Sequence, residues 1–413
     1  MSIEGGVALL MLSRPPDGGV NLVNEQLLTT LVRTIDALDA DDGVLGAVLA
    51  SEDPRTFLAG GDIAAFLDYE DKDEVIAAIA SGNEVLRRIE TWRKPLVAGV
   101  DGACLGGGTE LVLAASRVIA TDSSHTRFAL PEVKLGLVPG LGGTVRLPRR
   151  VGLVTALDIV VSGRNVYAHE ALAIGLVDRV VPPDQLIAAA RELVLALAAG
   201  RRDLPAQGAP ARRPIKRPPA RRSASLLHEC LRLPLVLDVV LSRARSQALA
   251  GTRGNYPAVP RAIDAVGAWA RRGRAAGERA AAAAFADLLF TPQARALIHL
   301  FFAQSAARKN PWSHAAKRVA RIAVLGAGLM GSGIAEVSAS AGLSVRLKDE
   351  RLAAAAAGRD RVAAALGSRV GKGVTHAESD AAVARVTAVA GFPELAEADV
   401  TIEAVPEDLE LKR

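Results

Sequence analysis

The sequence predicts an α/β protein: a first unit of layered strands and helices, a helical connector, and a second, shorter α/β unit. Three observations predict it. Short apolar runs alternate with segments of helical periodicity through residues 1–200, a pattern that builds sheets covered by helices. A second strand, glycine turn, helix and strand opens at residue 318, beyond a long helical stretch. Half of the 413 residues are hydrophobic but only 3% are aromatic, so Ala, Leu and Val carry the apolar load, as in helix-rich α/β packing. A chain of this length exceeds one core and divides into domains.

Residues 7–12 (VALLML) and 44–50 (VLGAVLA) are apolar runs bounded by turn residues, and read as buried strands. Between them, 24–39 has leucines at helical spacing behind Asn24, a side chain suited to capping. A helix is predicted around 73–92, a buried strand at 94–100, and a short helix over 109–116 opened by the glycines 106–108. From 152 to 200 the pattern is helical, with one strand at 176–181. Helices follow from 224 to about 308. At 318 the segment RVARIAVLGAGLMGSGIAEVSASAGLSVRLKDE predicts strand, turn, helix and strand again.

The formal net charge of +5 is small for the length, and its distribution says more. Residues 201–222 hold eight basic side chains against the single acid Asp203, amid prolines and alanines. Lacking interleaved aromatics, this strap reads as a solvated linker rather than a nucleic-acid surface, with contact to the phosphates of a ligand as the alternative. Cys104 and Cys230 give no disulfide framework, which fits a reducing compartment. Residues 7–12 lack a basic leader and Arg191 and Glu192 interrupt the later apolar stretch, so neither signal peptide nor membrane span is read and a cytoplasmic enzyme is expected. His228 and Cys230 stand two apart with no second pair, so no metal site is expected. His314 and His376 flank the second unit without a motif around them.

Three segments of the first unit carry chemistry: FLAGGDIAAF (57–66), KPLVAGVDGACLGGGTEL (94–111) and FALPEVKLGLVPGLGGTVRLPRRVG (128–152). Two glycine turns can present backbone N–H groups to one oxygen, and the second leads into a helix N-terminus that favours negative charge. That is the make-up of an oxyanion hole for an enolate-like thioester oxygen. Glu110 stands in the first turn of that helix. Glu132 follows 22 positions later among Leu130, Val133 and Leu135. Adding water to a conjugated C=C needs one group to draw a proton off water and another to deliver one to the α-carbon. Two carboxyls can share those tasks, and apolar burial raises a carboxyl pKa toward neutrality. Asp62 reads as loop-stabilising. Cys104, beside the turn, reads as a small packing residue that an alkylating agent could also reach.

These three segments, in this order and spacing, resemble the crotonase superfamily over about the first 190 residues. The resemblance implies a crotonase-like ββα spiral acting on a CoA thioester. It assigns the two oxyanion N–H groups to Gly61 and Gly107, and the paired hydratase glutamates to Glu110 and Glu132, the later one handling the α-carbon proton. Gly61 stands where the family often has alanine, which is harmless for a backbone donor. Both glutamates together favour hydration of a 2-enoyl-CoA. Isomerisation or another crotonase reaction is the alternative, and a non-catalytic acyl-CoA-binding remnant is the reading from a different class.

In the second unit Gly326, Gly328 and Gly331 form G-x-G-x-x-G directly after RIAVL (321–325), and Asp349 follows the last glycine by 18 residues at the end of a second strand. That context is what a Rossmann-type dinucleotide site requires. The Asp349 carboxylate suits a ribose 2′-hydroxyl and favours NAD over NADP, a choice on which the basic Arg346 and Lys348 also bear. GAGLMGSGIA and ADVTIEAVPEDLELK (398–412) resemble the 3-hydroxyacyl-CoA dehydrogenase family. With the connector, the whole order resembles the α-subunits of the fatty-acid oxidation multienzymes. The resemblance implies a hydratase domain at 1–200, a basic linker and helical connector at 201–317, and the start of an NAD-binding domain at 318–413. It also implies association with a thiolase subunit, and trimers for hydratase heads. In that family the dehydrogenase's catalytic His, its Glu partner and a helical domain lie beyond the EAV-x-E segment, here EAVPE, and the sequence stops at Arg413. The NAD-binding unit is therefore read as truncated, and hydride transfer is expected only of a full-length parent.

Overall fold

The computed structural model describes residues 1–15, 19–201, 234–308, 315, 317–369 and 376–412. Residues 202–222 of the basic strap, His228, Cys230 and His314 lie outside the described residues. The chain divides into two compact units, Met1–Arg308 and Lys309–Arg413.

The first unit holds two sheets among the described residues. The larger runs β1 (Ser2–Glu4), β2 (Val7–Leu12), β3 (Gly46–Ser51), β5 (Leu96–Val100), β7 (Arg117–Thr121), β10 (Arg179–Val181). Only β1 pairs antiparallel; every later neighbour is parallel. The smaller sheet runs β4 (Thr56–Leu58), β6 (Ala103–Leu105), β8 (Arg127–Ala129), β9 (Val166–Tyr167). Consecutive strands β3/β4, β5/β6 and β7/β8 therefore go one to each sheet, and each pair is followed by helical structure. Repeating that step winds the chain as a ββα spiral.

Strands β3 and β5 are buried on both faces, which is why they read as continuous apolar runs rather than alternating ones. Ala47, Leu49, Leu96 and Ala98 point into the main core, while Val48, Ala50 and Val97 meet Leu186, Ala190, Leu193 and Val194 of helix Leu186–Ala198. Helix Glu25–Ala40 is capped by Asn24, whose side chain accepts from the Leu27 N–H at 2.9 Å. The helices Ala258–Arg272, Arg274–Leu289 and Pro292–Arg308 bury Val266, Phe285 and Ile298 in the same core as the strands. They are thus packed into the first unit.

In the second unit β11 (Arg321–Leu325), β12 (Ser344–Lys348), β13 (Val386–Val389) and β14 (Val400–Glu403) form one parallel sheet in the order β13-β12-β11-β14. That 3-2-1-4 order is the start of a Rossmann-type sheet. Its core is Ile322, Val324, Ala335, Leu347, Val362 and Leu366.

Candidate active site

Strand β6 is followed by Gly106, whose φ of 50° and ψ of −126° suit a residue without Cβ. The turn is pinned to β8: the Gly106 N–H donates to Ala129 O at 2.9 Å, and Thr109 Oγ1 donates to Cys104 O (2.7 Å) and Ala129 O (2.9 Å). Helix Gly107–Val112 starts here, so the Gly107 N–H has no intrahelical acceptor. A Cβ on Gly107 would stand 3.5 Å from the Gly61 nitrogen, and one on Gly106 would stand 3.1 Å from Glu132 Oε1. The structure therefore brings Gly61, Gly107 and Glu132 around one point.

Gly61 is held by its neighbours: the Val23 N–H donates to Gly60 O at 2.7 Å, and Asp62 caps Ile63–Phe66 by accepting from the Ala64 and Ala65 N–H groups. The Phe66 ring folds back over Gly61. A methyl at position 61 would lie 2.9 Å from Phe66 Cζ. The aromatic ring fills the space of the alanine side chain that the resemblance led one to expect. Phe66 is braced edge-on by Phe285, with ring centroids 5.3 Å apart.

Glu110 is buried, and its Oε1 accepts a 2.6 Å hydrogen bond from the Gly143 N–H. Burial pushes its carboxyl up to about 7, against the Gly143 and Leu141 N–H groups and the Arg146 charge, which pull the other way. Glu132 lies in the 3₁₀ turn Pro131–Leu135, ended by Gly136 with φ 76°. The residue as a whole is part-exposed, but its Oε2 is sealed from solvent and has no hydrogen-bond partner among the described residues. Burial, and then the nearby Glu110 charge, hold its carboxyl well above the usual range. The turn is backed by helix Pro292–Arg308: a Cβ on Gly136 would meet Ala294 Cα at 2.8 Å. Two acids in one apolar site do not readily ionise together, so one of them stays protonated near neutrality.

The Cys104 side chain is fully buried and burial pushes its thiol up. It is a packing residue, and the idea that an alkylating agent reaches it is corrected. Among the described residues no cluster of three His, Cys, Asp or Glu is arranged to hold a metal, and no helix is long and apolar enough to cross a membrane.

In the second unit Gly326 has φ 93°, and its N–H donates to Lys348 O at 2.8 Å. A Cβ on Gly331 would stand 1.7 Å from Gly326 O, so the helix packs directly on the turn. In front of Gly328 the space is open, with nothing within 4 Å of an added Cβ. Helix Leu329–Ser340 starts there without a side-chain cap. Asp349 accepts from the Ala327 N–H through Oδ2 at 2.7 Å, tying the second strand to the glycine turn. This cradle, closed behind and open in front, fits a pyrophosphate at a helix N-terminus. Arg346 instead bonds Thr387 Oγ1 at 2.7 Å, and Lys348 lies over the Phe392 ring.

Residues 2–209 match the enoyl-CoA hydratase/isomerase family, and residues 321–413 match the NAD-binding domain of 3-hydroxyacyl-CoA dehydrogenase. The chain belongs to the enoyl-CoA hydratase/isomerase family. It is 35% identical over 99% of its length to the fatty acid oxidation complex subunit alpha of Shewanella amazonensis, and 34% identical to that of Shewanella loihica. It spans 56% of the length of each of these relatives. An enoyl-CoA hydratase structure from Bacillus anthracis is 26% identical, with 60% of this chain and 87% of that one covered and a TM-score of 0.43.

Sequence reasoning alone missed several supports of this candidate site. Gly143 and Leu141 supply the N–H groups at Glu110, Arg146 and Asn83 stand behind them, and Phe66 shapes Gly61. The available cue was GLGGTVR itself, where a turn of three glycines precedes a helix carrying an arginine. Asn83, far away in sequence on a solvated-looking helix, gave no cue.

Proposed function

We propose that the first unit hydrates a 2-trans-enoyl-CoA to the 3-hydroxyacyl-CoA, a step of fatty-acid β-oxidation. The observation that carries this reading is the unequal carboxyl pair: Glu110 held by backbone N–H groups, Glu132 beside the glycine turn with a sealed Oε2 that has no partner among the described residues. The thioester oxygen would sit on the Gly61 and Gly107 N–H groups. Ionised Glu110 takes a proton from a water, whose hydroxyl adds to C3. The C=C electron pair moves through C2 toward the thioester oxygen, and protonated Glu132 delivers the hydrogen to C2. Glu110 ends protonated and Glu132 ionised, so one proton passing between them restores the start.

A second reading, isomerisation of 3-enoyl- to 2-enoyl-CoA, needs only proton shuttling, and the bare Glu132 Oε2 would suffice for it. On this assignment residues 1–200 are the catalytic domain, 201–317 the linker and connector, and 318–413 the start of the NAD-binding domain. Gly326, Gly328 and Gly331 would hold the NAD pyrophosphate and Asp349 its ribose; bound NAD supplies a hydride acceptor. Oxidation of the hydroxyacyl product is proposed only for a chain of the relatives' full length, as is assembly with a thiolase subunit, which their name as subunits of a complex supports.

The test is turnover of short- and long-chain 2-enoyl-CoA by the purified chain, with product analysis, beside Glu110→Gln and Glu132→Gln. Hydration lost by about 10²-fold or more in each variant, with acyl-CoA binding retained, is expected of an acid–base pair. An acyl-CoA-binding parent chain without turnover would leave only a binding remnant.

A further inference from the structure

The 140–143 turn that grips Glu110 is itself gripped from behind. Arg146, with a side chain only 1% exposed, donates from Nη1 to Leu141 O at 2.7 Å and to Asn83 Oδ1 at 3.2 Å. Asn83, also buried, donates from Nδ2 to Gly140 O at 2.9 Å and to Ile79 O at 3.1 Å. Both side chains thus hold carbonyls of the turn whose N–H groups hold the carboxylate. The guanidinium occupies the place of a side chain at Gly142: a Cβ there would fall 2.0 Å from Arg146 Nη1 and 2.9 Å from Asn83 Oδ1. The left-handed φ of 85° at Gly142 and its missing side chain are both required by this arrangement.

Burying a guanidinium is expensive, and a buried ion pair seldom repays it in stability. Arg146 is matched by Glu90 at 3.3 Å and Glu278 at 4.0 Å, while its Nε has no hydrogen-bond partner among the described residues. Those two acids are shared: Glu90 also takes Arg274 and, at 3.8 Å, Arg149, and Glu278 takes Arg274 at 2.8 Å and Arg87 at 3.6 Å. A turn needing only packing could be filled by an apolar side chain. What an apolar residue could not supply are the hydrogen bonds to Leu141 O and Asn83 and a positive charge behind Glu110, where it opposes burial and favours the ionised carboxylate.

We propose that Arg146, seated on Asn83, is the positioning residue for Glu110: it locks the 140–143 turn so that the Leu141 and Gly143 N–H groups meet the carboxylate, and it sets a positive charge behind that carboxylate. The proposal rests on the reading of Glu110 as the water-activating group. The charged residues packed around the pair are Glu132 on its turn, Arg149 on the helix of Arg146, Glu90 and Arg87 on Lys72–Glu90, and Glu278 and Arg274 on Arg274–Leu289.

The experiment uses the full chain with Arg146→Met and Glu278→Gln, read by the kcat-against-KM split and the acid limb of the pH profile. The carboxyl of Glu110 is followed in parallel by ¹³C NMR, assigned with Glu110→Gln. Arg146→Met is expected to lower kcat about ten- to hundredfold with KM little changed, as for a misplaced reacting group, and to move the acid limb upward. Glu278→Gln leaves Arg146 less neutralised, and is expected to move the limb downward. A merely structural arginine would not give opposite shifts. Folded Arg146→Met with the parent's kcat and limb, or both variants shifting in one direction, overturns the proposal; if Arg146→Met does not fold, the direction for Glu278→Gln decides it. If the parent itself does not hydrate enoyl-CoA, the hydratase reading fails, and the Glu110 titration alone decides whether Arg146 governs that carboxyl.

Discussion

Glu110 Oε1 sits 2.6 Å from the Gly143 nitrogen, and a Cβ on Gly143 would press on that same oxygen at 3.0 Å and on Leu130 Cδ1 at 3.0 Å. The glycine is needed for room as much as for its N–H. Gly143→Ala should therefore push the carboxylate off its donor without changing any chemical group. Its kcat is expected to drop about tenfold or more with acyl-CoA affinity kept, since small misplacements weigh heavily on reacting groups. Steady-state kinetics beside a binding titration checks this, and an unaltered kcat would remove Gly143 from the machinery.

The two carboxyls set a pH profile. Hydration by the proposed route needs Glu110 ionised and Glu132 protonated. Glu110 lies at about 7 and Glu132 is also raised, with the Glu110 charge adding to its burial. Activity should rise through roughly neutral pH as Glu110 ionises and fall at higher pH as Glu132 gives up its proton. In Glu132→Gln the alkaline limb should vanish from whatever activity remains. A kcat/KM profile flat from acid to alkaline pH would contradict the pair.

Stability carries the same signature with a definite sign. In the unfolded chain Glu132 ionises near the ordinary value of 4.5, whereas in the fold it keeps its proton to much higher pH. Above the unfolded value the folded state must hold a proton the unfolded state has released, so the group destabilises increasingly as pH rises, levelling off above the folded pKa. Glu132→Gln removes that burden. Its Tm should exceed the parent's at pH 8, by about 2–4 °C for each kcal/mol relieved in a unit of this size, and the gap should close toward pH 4. Thermal melts at both values decide it; a gap that widens in acid would reverse the assignment.

Position 61 tests the packing around the glycine turn. Ala would place its methyl 2.9 Å from Phe66 Cζ, and Phe285 blocks that ring from backing away freely. Gly61→Ala is expected to lower kcat several-fold by displacing the proposed backbone donor, less than the roughly 10²–10³-fold cost of losing an oxyanion donor outright. Gly61→Ala combined with Phe66→Leu should recover much of the loss. Kinetics of the single and double variants separate this from a donor fault, which Phe66→Leu could not repair.

The sequence was most legible where local physics decides. The glycine turns, the strand runs at 7–12 and 321–325 and the Asn24 cap all announce themselves through short-range patterns, and the spacing of Glu110 and Glu132 carried the resemblance. The helix after Gly106 runs Gly107–Val112 and ends earlier than the expected 109–116, because Leu113–Ala115 turn down to bring the chain into β7. What stayed hidden were contacts between distant segments: Asn83 to Gly140, Phe66 to Phe285, Ala294 to Gly136. Each joins elements whose meeting is set by the way helices close over the spiral, and no window of sequence contains both partners.

The second unit sets two roles on one residue. Asp349 serves the glycine turn by accepting from the Ala327 N–H at 2.7 Å, and as a carboxylate it would repel a ribose 2′-phosphate. Asp349→Asn keeps an oxygen for Ala327 but loses the charge and the acceptor that Oδ1 offers the Glu350 N–H at 2.8 Å, so NAD binding should weaken modestly while discrimination against NADP narrows. Asp349→Ala loses both, and affinity for NAD should fall by about tenfold or more, the scale of a hydrogen bond to a charged group. Calorimetric titration of the full chain and both variants with NAD and NADP checks the order. If the asparagine variant were as weak as the alanine one, the charge and the Oδ1 acceptor would be what holds the ribose. Equal affinity of the parent for both dinucleotides would show that Asp349 faces the turn and not the ligand.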